Sequence, residues 1–565
     1  NGAPKLSVSR ARRPPRRPTA RAGAPARRDP QQLMATHDDA PLAATHQRYL
    51  NALTAAFERG QYRHVADQEE KARATFPDSG AALFVIGTAR AALGEGGAAA
   101  ACLRDALALS PALIDGHDNL GVVLGDLGDL PGARQALKRA AVLAPGRAQS
   151  YFNLGRVAQT ADALHQASYR RALTLAPSYL EAWYNRGIAQ RAARLVNAAP
   201  PAAAMRDFKR CAVLNPRHRA AYNNLAVTLS DETEVPAAIR QFRRAITAQP
   251  DDPEAHHNLG LALLKNGDFE TAWPAYEWRW RRPVFADALP RFHQPQWRPG
   301  APGRVLLWAE QGLGEELLFA CLINPLRALS AELIVNLDAR LIPLLRRGTA
   351  PDIDYRPRGA AIEDATYDRQ ISMAQLCQYL RADMAQVRAG ASPYLRADPA
   401  RSSALRTRLG GSRRPIYGLS WRSDSTARPH KSIDPAALVR ALGDRDVTLV
   451  NLQYGDTADE IAAVQAATGR EIVDLPDIDN FNDIDGLAAT IAVCDRVITI
   501  ANVTADLAGG LAKDVRVLLR RDSDWRWGAD GTRTPWYPSA TLYRQDAEQS
   551  WAPVLAALKR DLTAR

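Results

Sequence analysis

The chain has 565 residues, 46% of them apolar and 24% charged, a globular composition long enough for three or four domains. No uncharged run of 18 apolar residues occurs, so the sequence offers no transmembrane helix. Five cysteines (Cys102, Cys211, Cys321, Cys377, Cys494) lie scattered with no CxxC pair. They fit neither a zinc site nor a disulfide framework and favour a reducing, cytoplasmic setting. The net charge of +12 is concentrated at one end: residues 1–33 hold nine Lys or Arg against Asp29 alone. Without them the body carries 64 basic and 60 acidic residues, too balanced to indicate a nucleic-acid partner.

Residues 1–45 are expected to be a disordered, basic tail, rich in Pro, Arg and Ala. Three readings compete for it: a nucleic-acid or anionic-surface arm, a transit-like segment, or sequence upstream of a misplaced start, since the first Met is Met34.

Repeats follow. Pro77, Pro111, Pro145, Pro177, Pro216 and Pro250 stand 34, 34, 32, 39 and 34 residues apart. Ten residues after each of the last five comes a small residue: Gly121, Gly155, Gly187, Ala226 and Gly260. Large residues (Leu103, Leu137, Tyr169, Phe208, Phe242) sit eight before a ladder proline. The proline ends the second helix of each pair. The small positions admit a close helix, and the large ones are expected to fill gaps between neighbouring pairs. This pattern resembles a tetratricopeptide repeat (TPR) array over 46–282, with an insertion at 194–204.

Asn119, Asn153, Asn185, Asn224 and Asn258 each lie two residues before a small position. Stacked along a solenoid, their carboxamides offer a donor and an acceptor to an extended peptide, and repeat arrays generally bind on the concave face. The competing reading is that they hold neighbouring helices together. The array closes on Trp273, Tyr276, Trp278 and Trp280, with Trp297 beyond a connector at 283–302. These rings are expected to seal the last repeat, a sugar-stacking platform being the alternative.

From residue 303 the period changes to short apolar strands alternating with helices, which gives parallel sheets with covered faces. Strands are expected at 304–309, 331–337 and 368–372 in an N-terminal lobe (303–412). A helical crossing at 380–412 leads to strands at 416–421, 448–452, 471–474, 496–500 and 515–519 in a C-terminal lobe (413–565). The fold class is thus an all-α solenoid followed by a two-lobed α/β domain. In the segment 494–515 a strand runs through a polar turn at 501–504 into a helix at 504–511. Such a helix start has free N–H groups and the positive end of a dipole, suited to a phosphate.

Four stretches should meet at strand C-terminal ends, where open α/β sheets bind ligands: EQGLGEE (310–316), GLSWRS (418–423) with HKS (430–432), NLQYGD (451–456), and the 494–515 segment. Together with DIDNFNDIDGLAATIAVCD, DWRWG, PWYPS and LYRQ they resemble bacterial TPR proteins with a C-terminal glycosyltransferase-like domain. That domain is similar to ADP-heptose:lipopolysaccharide heptosyltransferases and, more distantly, to O-linked N-acetylglucosamine transferases. The resemblance implies a GT-B fold of two Rossmann-like lobes, a nucleotide-sugar co-substrate on the C-terminal lobe, and inverting transfer with no metal or other cofactor.

It also implies roles. Asn502, Thr504 and the helix start would hold the diphosphate, with Asp506 on the same turn. Lys431, Arg422 or Arg428 would neutralise the leaving group; Ser420, Ser423, Ser432 and Gln453 would add hydrogen bonds. Glu315 would be the base, with Glu310 and Glu316 behind it. One departure stands out: relatives carry His where this chain has Asp506, and a carboxylate there repels a diphosphate. The alternative to an enzyme is therefore a non-catalytic TPR scaffold with a degenerate transferase-like domain. Asp477, Asp479, Asp483 and Asp485 lack an EF-hand pattern and should cap the following helix.

Overall fold

The computed structural model describes residues 40–158, 163–197, 201–286, 292–310, 312–389, 393–410, 414–423 and 431–563. Most of the basic tail, part of the 194–204 insertion, Arg428 and His430 lie outside them. Two compact units divide at Pro216 and Arg217.

The first unit is built of helix pairs: Gly80–Ala92 with Gly96–Leu109, Ile114–Asp126 with Leu130–Leu143, Ala148–Val157 with Ala163–Leu175, and Leu180–Asn197 with Ala202–Leu214. Short polar side chains start several of them. Ser79 Oγ accepts from the Ala82 N–H (3.2 Å) and Asp129 Oδ1 from the Gly132 N–H (2.9 Å), each satisfying a donor that the helix leaves unpaired.

The small positions do admit a close neighbour. A Cβ on Gly121, Gly155 or Gly187 would lie 2.4 Å from Leu137, 2.8 Å from Tyr169 or 2.7 Å from Phe208. Each large residue thus packs on the small residue of its own pair. Leu103 also shares a core cluster with Leu120, Val123 and Leu124 of the next pair, and Tyr169 one with Ala182 and Ala189, so large residues serve the spaces between neighbouring pairs as expected.

The second unit opens with two further pairs, Arg219–Asp231 with Val235–Ala248 and Pro253–Asn266 with Phe269–Tyr276, closed by a 3-10 turn at Glu277–Arg281. The aromatic cluster joins them to the α/β part, as expected. Trp273 packs edge-on against Trp525 (ring centroids 6.0 Å) and donates from Nε1 to the Arg381 carbonyl at 2.8 Å. Phe269 meets Trp536, and Trp280 meets Trp308. Trp273 and Trp297 are buried, so neither offers a face to a sugar.

The α/β part has two parallel sheets. The first contains β1 (Arg304–Trp308), β2 (Glu332–Leu337), β3 (Asp354–Pro357) and β4 (Arg369–Ser372) in the order β3-β2-β1-β4. The second contains β5 (Ile416–Ser420), β6 (Thr448–Asn451), β7 (Ile472–Val473), β8 (Arg496–Ile500), β9 (Val515–Leu519) and β10 (Ala540–Arg544) in the order β10-β9-β8-β5-β6-β7. Its apolar core gathers Leu419, Trp421, Leu438, Leu449, Ile498 and Leu558. β3 and β10 are additions to the expected set, and the described part of 380–412 is helical, as expected, over Met384–Ala389 and Pro399–Arg408. In both sheets the chain reverses its direction of winding: between β1 and β4 in the first, between β5 and β8 in the second. Open α/β sheets bind ligands in the crevice at such a point.

Candidate functional site

At the second reversal the loops after β5, β6 and β8 are tied by side chains. Asn502 donates from Nδ2 to Ser420 Oγ (2.8 Å), and its Oδ1 accepts from Thr499 (3.0 Å). Gln453 Oε1 accepts from Ser420 Oγ (3.0 Å) and from the N–H groups of Trp421 (3.0 Å) and Arg422 (2.9 Å). Asn451 Oδ1 in turn accepts from the Gln453 N–H at 2.8 Å. Ser420, Gln453 and Asn502 therefore lie together where the sequence placed them, and each spends polar atoms on shaping the crevice.

The helix after β8 spans Val503–Gly510, and Asn502 precedes it without a side-chain cap, leaving the dipole end to the backbone. Thr504 is buried in its first turn. The Ser423 N–H donates to Ser432 Oγ at 3.3 Å, which brings those two residues together. Lys431 lies half-buried beside them. Arg422 has a different task from the one expected. It donates to Glu460 (3.1 Å) and to the carbonyls of Tyr454 (3.2 Å) and Asp456 (2.7 Å), so its charge is already committed to the loop beyond β6.

Asp506 is not at the mouth of the crevice. It is buried against the first lobe, where Arg526 Nη1 donates to both its oxygens at 3.2 Å and Tyr537 donates to Oδ1 at 3.0 Å. The same Nη1 donates to the Gly314 carbonyl (2.9 Å), and Arg526 Nε to Asp524 (3.1 Å). A Cβ at Gly314 would stand 2.9 Å from Asp506 Oδ2. Arg526 thus ties the second lobe to the first, as Arg347 does through Asp485 and Arg340 through the Phe481 carbonyl. No signal within a single motif announces Arg526, because its partners lie 20 and more than 200 residues away.

Glu315 begins the helix Leu313–Phe319 and is 4% exposed, its Oε1 3.9 Å from Arg526 Nη2. Burial pushes its carboxyl well above the usual range, with Arg526 opposing. Burial also raises Asp506 and Glu316. Glu316 is engaged by the Asp338 N–H (2.7 Å) and Arg358. At the first reversal point Glu310, Glu315, Glu316, Phe319, Met373 and Ala374 line a cavity of about 10 Å³.

The acidic loop behaves as a cap. Asp483 accepts from the Gly486 N–H (2.8 Å) ahead of Ile484–Val493 and binds Arg401. Asp477 and Asp485 bind Arg408 and Arg347. Among the described residues no group of His, Cys, Asp and Glu has the arrangement of a metal site. None of the described helices is long and apolar enough to cross a membrane.

The asparagine ladder divides. Asn153, Asn224 and Asn258 are buried, and Asn258 donates to Asn223 of the preceding pair at 3.1 Å. Asn119 and Asn185 are half-buried; they donate to Thr88 Oγ1 (3.1 Å) and to the Glu181 carbonyl (2.8 Å). Asn119 and Asn258 thus reach across to the preceding pair, while Asn185 and Asn224 donate to carbonyls of their own helices (Glu181 and Ala220).

Residues 234–267 match a family model described as TPR repeat, and the chain carries tetratricopeptide repeats. It is 32% identical over 329 residues to protein FlbA of Caulobacter vibrioides, covering 54% of this chain. The chain spans about half, 54%, of that relative's length. Solved structures similar to part of the chain include YrrB, described as a TPR protein with an unusual peptide-binding site (21% identity, 33% of this chain and 95% of that one, TM-score 0.28). Another is the C-terminal part of a TPR protein from Cytophaga hutchinsonii (15% identity, 43% and 100%, TM-score 0.34).

Proposed function

We propose that the chain is a glycosyltransferase of GT-B type that moves a sugar from a nucleotide-sugar donor to a hydroxyl of a polypeptide bound by the repeats, with inversion and without a metal. The observation that supports this best is the coincidence of chemistry with topology. Ser420, Gln453 and Asn502 meet at one reversal point, and Glu310, Glu315 and Glu316 at the other. The diphosphate sits against the start of the Val503–Gly510 helix, whose dipole contributes about 0.3–2 kcal/mol. Lys431 faces the leaving oxygens as its bond to the anomeric carbon breaks. Glu315 removes the acceptor hydroxyl proton as the new bond forms on the opposite face. Gly314 touches Asp506 in the closed arrangement, so donor entry requires the lobes to part at Arg526.

A second reading, a non-catalytic protein-interaction scaffold, rests on Asp506 itself, which stands where similar transferases carry His and is neutralised by Arg526. A thermal-shift series on the full chain with UDP-, GDP- and ADP-sugars, without metal, separates the two. A donor at 100 times its Kd stabilises by about 2.7 kcal/mol; no shift with any donor selects the scaffold. If a donor binds, Glu315→Gln and Lys431→Ala each cut turnover, and wild-type rates in both would refute the mechanism.

A further inference from the structure

The cavity between β1 and β4 has an unusual lining. Arg279, fully buried in the turn that closes the last repeat pair, grips a single oxygen of Glu310: Nε and Nη2 lie 2.9 and 2.7 Å from Oε2. The Glu310 side chain is 2% exposed, and its Oε1 is buried with no hydrogen-bond partner among the described residues. A buried acceptor left bare costs about 1–3 kcal/mol, so its retention calls for a use. Glu316, on the same wall, spends its oxygens on the Asp338 N–H and Arg358. Glu310 and Glu315 therefore face a space of about 10 Å³, enough for one water between polar partners.

We infer that Glu310 and Glu315 hold one resting proton between them across a single water in this cavity, and that this proton moves to Glu310 so that Glu315 is free to take the acceptor's. The relay role rests on the transferase reading; the shared proton does not. The step balances as a transfer alone: Glu315 loses the proton to the water, which passes its own to Glu310 Oε1. Arg279 holds the other oxygen, Oε2, through both of its hydrogen bonds to Glu310. The remaining charged and titratable groups around the pair are Glu277 beside Arg279, the Cys377 thiol beside Glu310, and Arg526, Asp524, Asp506 and Glu316 around Glu315. Burial is the main cause that favours the protonated form of Glu315, and like charge on Asp524 and Glu310 adds to it. Removing the charge on Glu310 must lower the pH at which that proton leaves.

Infrared titration of the full chain tests this without turnover. Wild type should show, at neutral pH, a carboxylic-acid carbonyl component that is absent from Glu315→Gln. Glu310→Gln should move its midpoint down by about one pH unit or more, the scale set by a close charge. Glu310→Asp, which keeps the charge, should leave the midpoint near wild type and guards against loss of fold. No such component in wild type, or an unmoved midpoint in Glu310→Gln, overturns the shared proton. If a donor is turned over, Glu310→Gln should lower kcat about tenfold or more at unchanged KM; an unchanged kcat overturns the relay. The infrared result with no turnover of any nucleotide sugar keeps the shared proton and removes the transferase.

Discussion

Arg526 is the side chain whose loss should be felt most. It is 5% exposed, and its donors reach the Gly314 carbonyl, both oxygens of Asp506 and Asp524 within 3.2 Å. Arg526→Met leaves Asp506 buried with only Tyr537 as a hydrogen-bond donor and Asp524 without its guanidinium. Breaking a buried pair in this way costs about 3–5 kcal/mol. Asp506→Asn keeps the Tyr537 contact and leaves Arg526 its other acceptors, so it should cost about 1–3 kcal/mol. In the double variant no uncompensated carboxylate remains at 506, so it should cost about 2 kcal/mol less than the sum of the single variants. Urea unfolding followed by tryptophan fluorescence reads this directly, since Trp525 lies 6.0 Å from the guanidinium. Additivity within about 0.5 kcal/mol would refute the reading of Arg526 and Asp506 as a coupled buried pair.

Two further outcomes follow from burial and packing. The folded-state pKa of Glu315 is raised, so between its unfolded and folded values the native chain binds the extra proton and stability falls as pH rises. Glu315→Gln should therefore be more stable than wild type at neutral pH, by about 1.4 kcal/mol per pH unit of separation, and the gain should vanish below pH about 4; a gain that persists in acid would contradict it. Gly509→Ala would bring a Cβ to 2.4 Å from the Tyr537 ring, overpacking at a cost of about 1–3 kcal/mol, and an unchanged melting temperature would show that the ring moves freely.

The repeats were legible because their signal is local and reiterated. Gly121, Gly155 and Gly187 are glycines for the reason their spacing suggests, a helix a few ångströms away. The strands were legible by apolar pattern, save β3, where Asp354 and Arg356 interrupt the run, and β10, which follows a long aromatic loop. The crevice residues Ser420, Gln453 and Asn502 could be named because each ends a recognisable strand. What sequence could not reveal was how committed these groups are. That Gln453 serves backbone N–H groups, that Arg422 turns to Glu460, and that Asp506 is buried beside Arg526 are facts of tertiary packing between distant segments. The asparagine ladder makes the same point: one register position yields half-buried amides at Asn119 and Asn185 and buried ones at Asn153, Asn224 and Asn258.

The join between the last two repeat pairs and the α/β part bears on how such a chain can vary. Trp273, Phe269 and Arg279 belong to repeats by period, yet their partners are Arg381, Trp525, Trp536 and Glu310. A fragment beginning after residue 282 would lose one face of its own interior, whereas one beginning near Arg217 keeps it. Solenoid units depend chiefly on their neighbours, so whole helix pairs ahead of that point are free to be gained or lost over generations. The number of early repeats can change without disturbing the aromatic join at Trp273 and Arg279.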